Sequence, residues 1–130
     1  MIRRLSRHVT RIYDEHLEPS GLRLTQYAVL AKLHRLGPCS LVALARESDL
    51  DVTSMSRAMR PLITAGLVKC GAGPDARTKS FALTASGERA YERAHKQWLQ
   101  AQSAVQSVLT PPRIRELSAL ADSLAGAGAR

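Results

Sequence analysis

In DVTSMSRAMRPLITAGLV, residues 51–68, two faces of one helix are written into the order of the side chains. Val52, Met55, Met59, Leu62 and Ile63 recur at steps of three and four, and Thr53, Ser56, Arg57, Arg60 and Thr64 recur on the opposite side. Asp51 stands in the N-cap position and Gly66 closes the helix. Not one acid lies between Val52 and Ala65. An ordinary solvated face mixes Glu with Lys and Arg, so a face of hydroxyls and guanidinium groups alone suits a polyanion. Pro61 sits well past the first turn, where it removes the bond to the Arg57 carbonyl. A bend between Arg57 and Pro61 is therefore expected, with the residues before it facing outward and those after it anchoring the helix.

The neighbouring segments decide what this helix belongs to. Before it, Ser40 caps a short helix through Leu41, Leu44 and Ala45 to about Ser48, and a turn at Asp49–Asp51 joins the two. After it, LVKCG and TKSFALT read as two strands, with Phe81 and Leu83 on one face, joined by the turn AGPDAR. Asp75, Arg77 and Lys79 surround the hairpin tip, where the Asp75 carboxylate can hold the Arg77 guanidinium extended, a shape that probes a minor groove. Helix, turn, helix and hairpin make a winged helix-turn-helix, whose second helix enters the major groove. Thr53, Ser54, Ser56, Arg57 and Arg60 are then the expected contacts with double-stranded DNA.

Flanking helices complete a mainly α chain with one small β-hairpin. Ile2, Leu5, Val9, Ile12 and His16 stripe a first helix that stops before EPSG at residues 18–21, its other face carrying Arg3, Arg4, Arg7 and Arg11. Tyr27, Val29, Leu30 and Leu33 mark a second helix from roughly Thr25 to Leu36, ended by Gly37 and Pro38. Thr84 caps a long helix with Tyr91, Ala94, Trp98, Ala101, Val105 and Val108 on one seam. Thr110 and Pro111 open a last helix with Ile114, Leu117, Ala121 and Leu124. The two terminal seams carry more apolar surface than a lone small winged helix covers, which predicts dimerisation. One domain spans residues 1–130, with a winged helix-turn-helix core over about 22–84 and dimerisation helices over about 1–18 and 85–125.

Composition narrows the function class. The net charge is +8, and fifteen of the 19 basic residues are Arg, the side chain whose planar fork fits phosphate and guanine edges. No apolar run approaches the roughly 20 residues that span a bilayer, and MIRRLSRHVTRIYDEH is too interrupted by polar groups for a signal peptide. A cytoplasmic location without membrane attachment is expected. Cys39 and Cys70 form no CxxC and lie near no His, so they signal neither zinc nor a disulfide framework, although one disulfide stays geometrically open. HExxH, GxSxG and glycine-rich phosphate loops are all missing, so neither an enzyme nor a cofactor is expected.

The stretches QYAVLAKL, LVALARESDLDVTSMSRAMRPLITAGLV, DAR and FALTASG, in this order and flanked by helices, resemble the multiple antibiotic resistance regulator (MarR) family of bacterial winged-helix transcription factors. That resemblance implies a homodimer with interlocking terminal helices that represses from a palindromic operator, released by a small aromatic or lipophilic ligand or by cysteine oxidation. By position it implies major-groove contacts at Thr53, Ser54, Ser56, Arg57 and Arg60, a wing motif at Asp75 and Arg77, and a backbone-facing helix start at Ser40. The chain departs from the family pattern at Ala76 and Cys70, where relatives often carry basic residues, and at Arg23, where many carry a capping Thr.

The effector site of relatives lies between the dimer helices and the DNA-binding lobe. His8, Arg11, Tyr13 and His16 on the first helix, with Tyr27 and His34 on the second, are the side chains expected to line it here. An Arg such as Arg11 beside aromatic rings suits an aromatic carboxylate. Two other readings stay open: a redox-responsive regulator acting through Cys39, at a helix start that would lower its pKa, or through Cys70; and a winged-helix protein interaction module without DNA binding.

Overall fold

A computed structural model describes residues 1–73 and 78–128. Helix α1 (Ile2–Leu17) passes through a 3-10 turn (Glu18–Ser20) into α2 (Leu24–Leu36), α3 (Leu41–Glu47) and α4 (Val52–Thr64). The antiparallel strands β1 (Val68–Ala72) and β2 (Lys79–Leu83) follow, and then α5 (Ala85–Gln106) and α6 (Pro111–Gly128). Among the described residues no helix is long and apolar enough to cross a membrane.

Local chemistry sets the ends of these elements. The Ser40 hydroxyl accepts the Ala43 N–H at 3.1 Å, and Thr84 accepts the Gly87 N–H at 3.0 Å. The start of α2, left without a capping Thr, is satisfied in two other ways: the Gln26 side-chain carbonyl accepts the Arg23 N–H at 3.0 Å, and the Asp14 carboxylate of α1 accepts the Leu24 N–H at 2.7 Å. Gly66 ends α4 with a φ of 76°, a left-handed value that a side chain would strain.

The core is one cluster between α2, α3, α4, the hairpin and α5, built on Leu30, Leu33, Leu44, Met55, Met59, Leu62, Val68, Phe81 and Ala94. Burial of Met55, Met59 and Leu62 is worth roughly 1.5–3 kcal/mol each, and this fixes α4 against the body. A second cluster of Tyr13, Ala101 and Val105, flanked by Val9, Ile12 and Trp98, joins α1 to α5.

Several expected core positions lie elsewhere. Val52 and Ile63 flank the buried stripe of α4 and remain 44% and 38% exposed. On α1 the deepest residues are Tyr13 and Leu17, whereas Ile2 and Leu5 are exposed and His16 is half-buried with Nδ1 2.8 Å from the Ile12 carbonyl oxygen. Val108 is exposed, and α6 buries none of its residues. Helix α4 continues through Pro61 without a break.

The hairpin has a third participant. Cys70 pairs with Phe81 across β1 and β2, and on the far side of β2 the Cys39 N–H donates to the Phe81 carbonyl at 3.1 Å while the Phe81 N–H donates back at 2.8 Å. The strand of Phe81 therefore separates the two cysteines. Two strand spacings, about 9–10 Å, exceed the ~7 Å between Cα atoms that a disulfide tolerates, so the disulfide left open by the sequence is excluded without backbone movement.

Candidate nucleic-acid interface

With Met55, Met59 and Leu62 turned inward, α4 presents Thr53, Ser54, Arg57 and Arg60 to solvent and leaves Ser56 half-buried. Thr53, Ser56, Arg57 and Arg60 meet Leu41 and Val52 in an open groove of about 490 Å³ between the start of α3 and the outer face of α4. Ser54 falls on the other flank, in a mostly apolar groove of about 530 Å³ with Thr25, Leu50, Met55 and Pro61, and Arg57 borders both. The five polar residues read from the sequence thus divide between two flanks of one helix.

The outer face of α4 is basic and carries no acid. Arg35 pairs with Glu47 at 3.2 Å and Arg11 with Glu15 at 3.7 Å, but among the described residues Arg57 and Arg60 make no ion pair. The nearby acid, Asp51, is engaged by the hydroxyl of Ser54, which holds its carboxyl below the ordinary range. Unpaired guanidinium groups beside hydroxyls are a donor set for phosphate oxygens and guanine edges.

Ser40 sits half-buried at the start of α3 with its oxygen committed to the cap. Lys79 is exposed at the start of β2, and Asp75 and Arg77 lie outside the described residues. The neck of the hairpin is narrow: the Gly73 N–H donates to the Thr78 carbonyl at 2.8 Å, and a Cβ on Gly73 would come within 2.5 Å of that oxygen.

The residues expected to line an effector pocket do not converge. Tyr27 and His34 face a cleft of about 660 Å³ between α2 and α5, walled by Tyr91, His95 and Trp98 with Lys32 at its edge. Arg11 opens instead onto a groove with Arg7, Asp14 and Arg23; His8 is exposed, and neither His8 nor His16 borders the cleft. Tyr13 stands next to it, stacked on Trp98 with ring centroids 6.2 Å apart. Within the cleft, Tyr27 stacks on Tyr91 at 5.8 Å and on Trp98 at 5.7 Å, and Tyr91 stacks on His34 at 4.3 Å. The Tyr27 oxygen lies 2.8 Å from His95 Nδ1, and His34 Nδ1 lies 2.8 Å from Glu88. Helical periodicity places Tyr91 and Trp98 on a packing seam and does not single out His95. Their spacing of four and three along α5 is the signal that groups them.

Cys39 also departs from expectation. Burial pushes its thiol up, where a helix start was expected to lower it, and only Cys70 is exposed. Among the described residues no group of three His, Cys, Asp or Glu is placed to hold a metal ion.

A model of the MarR family matches residues 22–74, which run from before α2 through β1 to the neck of the hairpin. The chain is 30% identical over 115 residues to the uncharacterized HTH-type transcriptional regulator YhbI of Bacillus subtilis, covering 88% of this chain and 75% of YhbI. It superimposes on the M. tuberculosis transcriptional regulator MosR, solved in complex with DNA, with a TM-score of 0.85 at 33% identity over 97% of this chain and 93% of MosR. The chain belongs to the MarR family. Its fold is likewise that of a mutant MarR from E. coli complexed with operator DNA, with a TM-score of 0.83 at 22% identity over 95% of this chain and 89% of that one. As a MarR-family protein the chain is a winged helix-turn-helix, DNA-binding transcriptional regulator and not an enzyme.

Proposed function

We propose that two copies of this chain form a repressor that grips a palindromic operator, with α4 of each copy in a major groove and its wing on the adjacent minor groove. The observation that carries this reading is the acid-free outer face of α4, where Arg57 and Arg60 stand exposed and unpaired among the described residues beside Thr53 and Ser56. In this reading Arg57 and Arg60 read bases, Thr53, Ser54 and Ser56 reach base edges and phosphates, and Ser40 approaches the backbone. Asp75, Arg77 and Lys79 serve the wing. MosR and MarR, whose folds this chain shares, have each been solved with DNA, which supports the choice of partner.

The Arg57→Ala and Arg60→Ala variants should each lose about 1–3 kcal/mol of operator affinity and relax base preference, whereas Arg77→Ala should weaken binding with a smaller change in preference. Binding constants on an operator selected from random DNA check this, and unchanged affinity in all three variants sinks it. Affinity should also fall by ~0.9 log units per released counterion per log unit of salt while the preferred sequence is retained. A protein interaction module would show neither property.

Release by a small aromatic molecule is the second part of the proposal. Support comes from the stacked rings of Tyr27, Tyr91, His95 and Trp98 in one cleft between the helix-turn-helix lobe and α5. Lys32 and Arg35, unlike Arg11, border this cleft, and with Arg35 paired to Glu47 at 3.2 Å, Lys32 is the cation better placed for a carboxylate.

A further inference from the structure

We infer that Val52 is a specificity-determining residue that reads the 5-methyl group of a thymine. The inference rests on the reading of α4 as the helix that lies in the major groove. Helical periodicity alone would bury Val52 with Met55 and Met59, yet the structure leaves it 44% exposed at the first position of α4. Its isopropyl group lines the groove that also holds Thr53, Ser56, Arg57 and Arg60. Leu41, packed on the core and placed at the start of α3 by the Ser40 cap, lines the same groove.

The chemistry of base edges selects the partner of such a group. In the major groove every base presents hydrogen-bond donors or acceptors, and thymine alone adds a methyl. Hydroxyls and guanidinium groups satisfy the polar edges, so an exposed isopropyl among them has one complementary feature to cover. A recognition helix uses its N-terminal residues for base edges, which is where Val52 stands. As a β-branched side chain in a helix, Val52 holds one preferred rotamer, so contact costs little side-chain entropy. The operator should therefore carry a thymine in each half-site beside the base pairs that Arg57 and Arg60 read.

Uracil tests this because it lacks only the methyl group. An operator is first selected from a random DNA pool, and each thymine of the half-site is then replaced symmetrically by uracil, with affinity measured by fluorescence anisotropy for the parent protein and Val52→Ala. Burial of one methyl is worth about fourfold per half-site, so one symmetric replacement should weaken the parent by about fifteenfold and Val52→Ala by less than twofold. If no replacement weakens the parent, or if parent and variant lose affinity equally at every position, the inference is wrong although operator recognition stands. If the pool yields no preferred sequence, the placement of α4 in the major groove fails, and the inference fails with it.

Discussion

Tyr27 shows how much a single side chain can carry. Its ring stacks on Tyr91 and Trp98 and its oxygen lies 2.8 Å from His95 Nδ1, so it fastens α2 to α5. Burial, with the Tyr91 phenol beside it, pushes its pKa well above the ordinary tyrosine value. A raised folded-state pKa means that the stability it contributes is fully present below the ordinary value near 10 and is lost as pH rises toward the folded one. Thermal midpoints should therefore fall on the alkaline side of pH 10, and Tyr27 phenolate absorbance, isolated by difference against Tyr27→Phe, should appear only with unfolding. Titration of Tyr27 at an ordinary tyrosine pH in the folded protein would contradict this. The burial of Tyr27 was legible from the spacing Tyr27, Val29, Leu30 and Leu33. Its partner was not, because His95 lies 68 positions away and no local pattern joins them.

At the scale of elements, the junction of α4, the hairpin and α5 is set by one threonine and one glycine. The Thr84 hydroxyl accepts the Gly87 N–H and donates to the Gly66 carbonyl at 2.6 Å, while the Thr84 N–H donates to the Leu67 carbonyl at 3.0 Å. Gly87 is buried against that same Leu67 carbonyl, and a Cβ there would collide with it. Helix propensity predicts that Gly87→Ala gains about 0.5–1 kcal/mol, and overpacking predicts a loss of about 1–3 kcal/mol. Backbone has no rotamer with which to yield, so the loss should win. Urea unfolding measures it, and a variant as stable as the parent would show that α5 can shift. Thr84 as a cap was readable in the sequence, because capping is decided within four residues. The collision at Gly87 was not, because it depends on a turn twenty residues earlier.

The whole molecule leaves apolar surface that one chain cannot cover. Ile2 is 70% exposed on α1, and Leu117, Leu120 and Leu124 are exposed on α6, which buries no residue of its own. The proposed assembly of two copies through these helices would cover both. For the parent protein the melting temperature should rise with concentration. The double variant Leu117→Glu, Leu124→Glu should sediment as a monomer and lose most operator affinity, because one half-site then binds alone. Sedimentation of that variant as a dimer would move the interface elsewhere. The Leu-rich seam of α6 was legible as surplus apolar surface, whereas the seam through Trp98 on α5, expected to be surplus too, packs against α1 and α2 within the chain, and only the assembled fold separates the two.

Local rules decided which segments are helices, where they are capped, where the hairpin lies and that the outer face of α4 lacks acid. Periodicity, caps and turn residues act over a few positions, so these features follow from the order of residues alone. The direction in which elements cross is set by packing between residues far apart in sequence. That packing leaves Val52 outside the core, divides Ser54 from Ser56, and gathers Tyr27 and His34 with Tyr91, His95 and Trp98 while leaving Arg11 apart. It also lays the strand of Phe81 between Cys39 and Cys70. A stripe of apolar residues is wider than the contact that covers it, and only the neighbouring element determines which edge of the stripe remains in solvent.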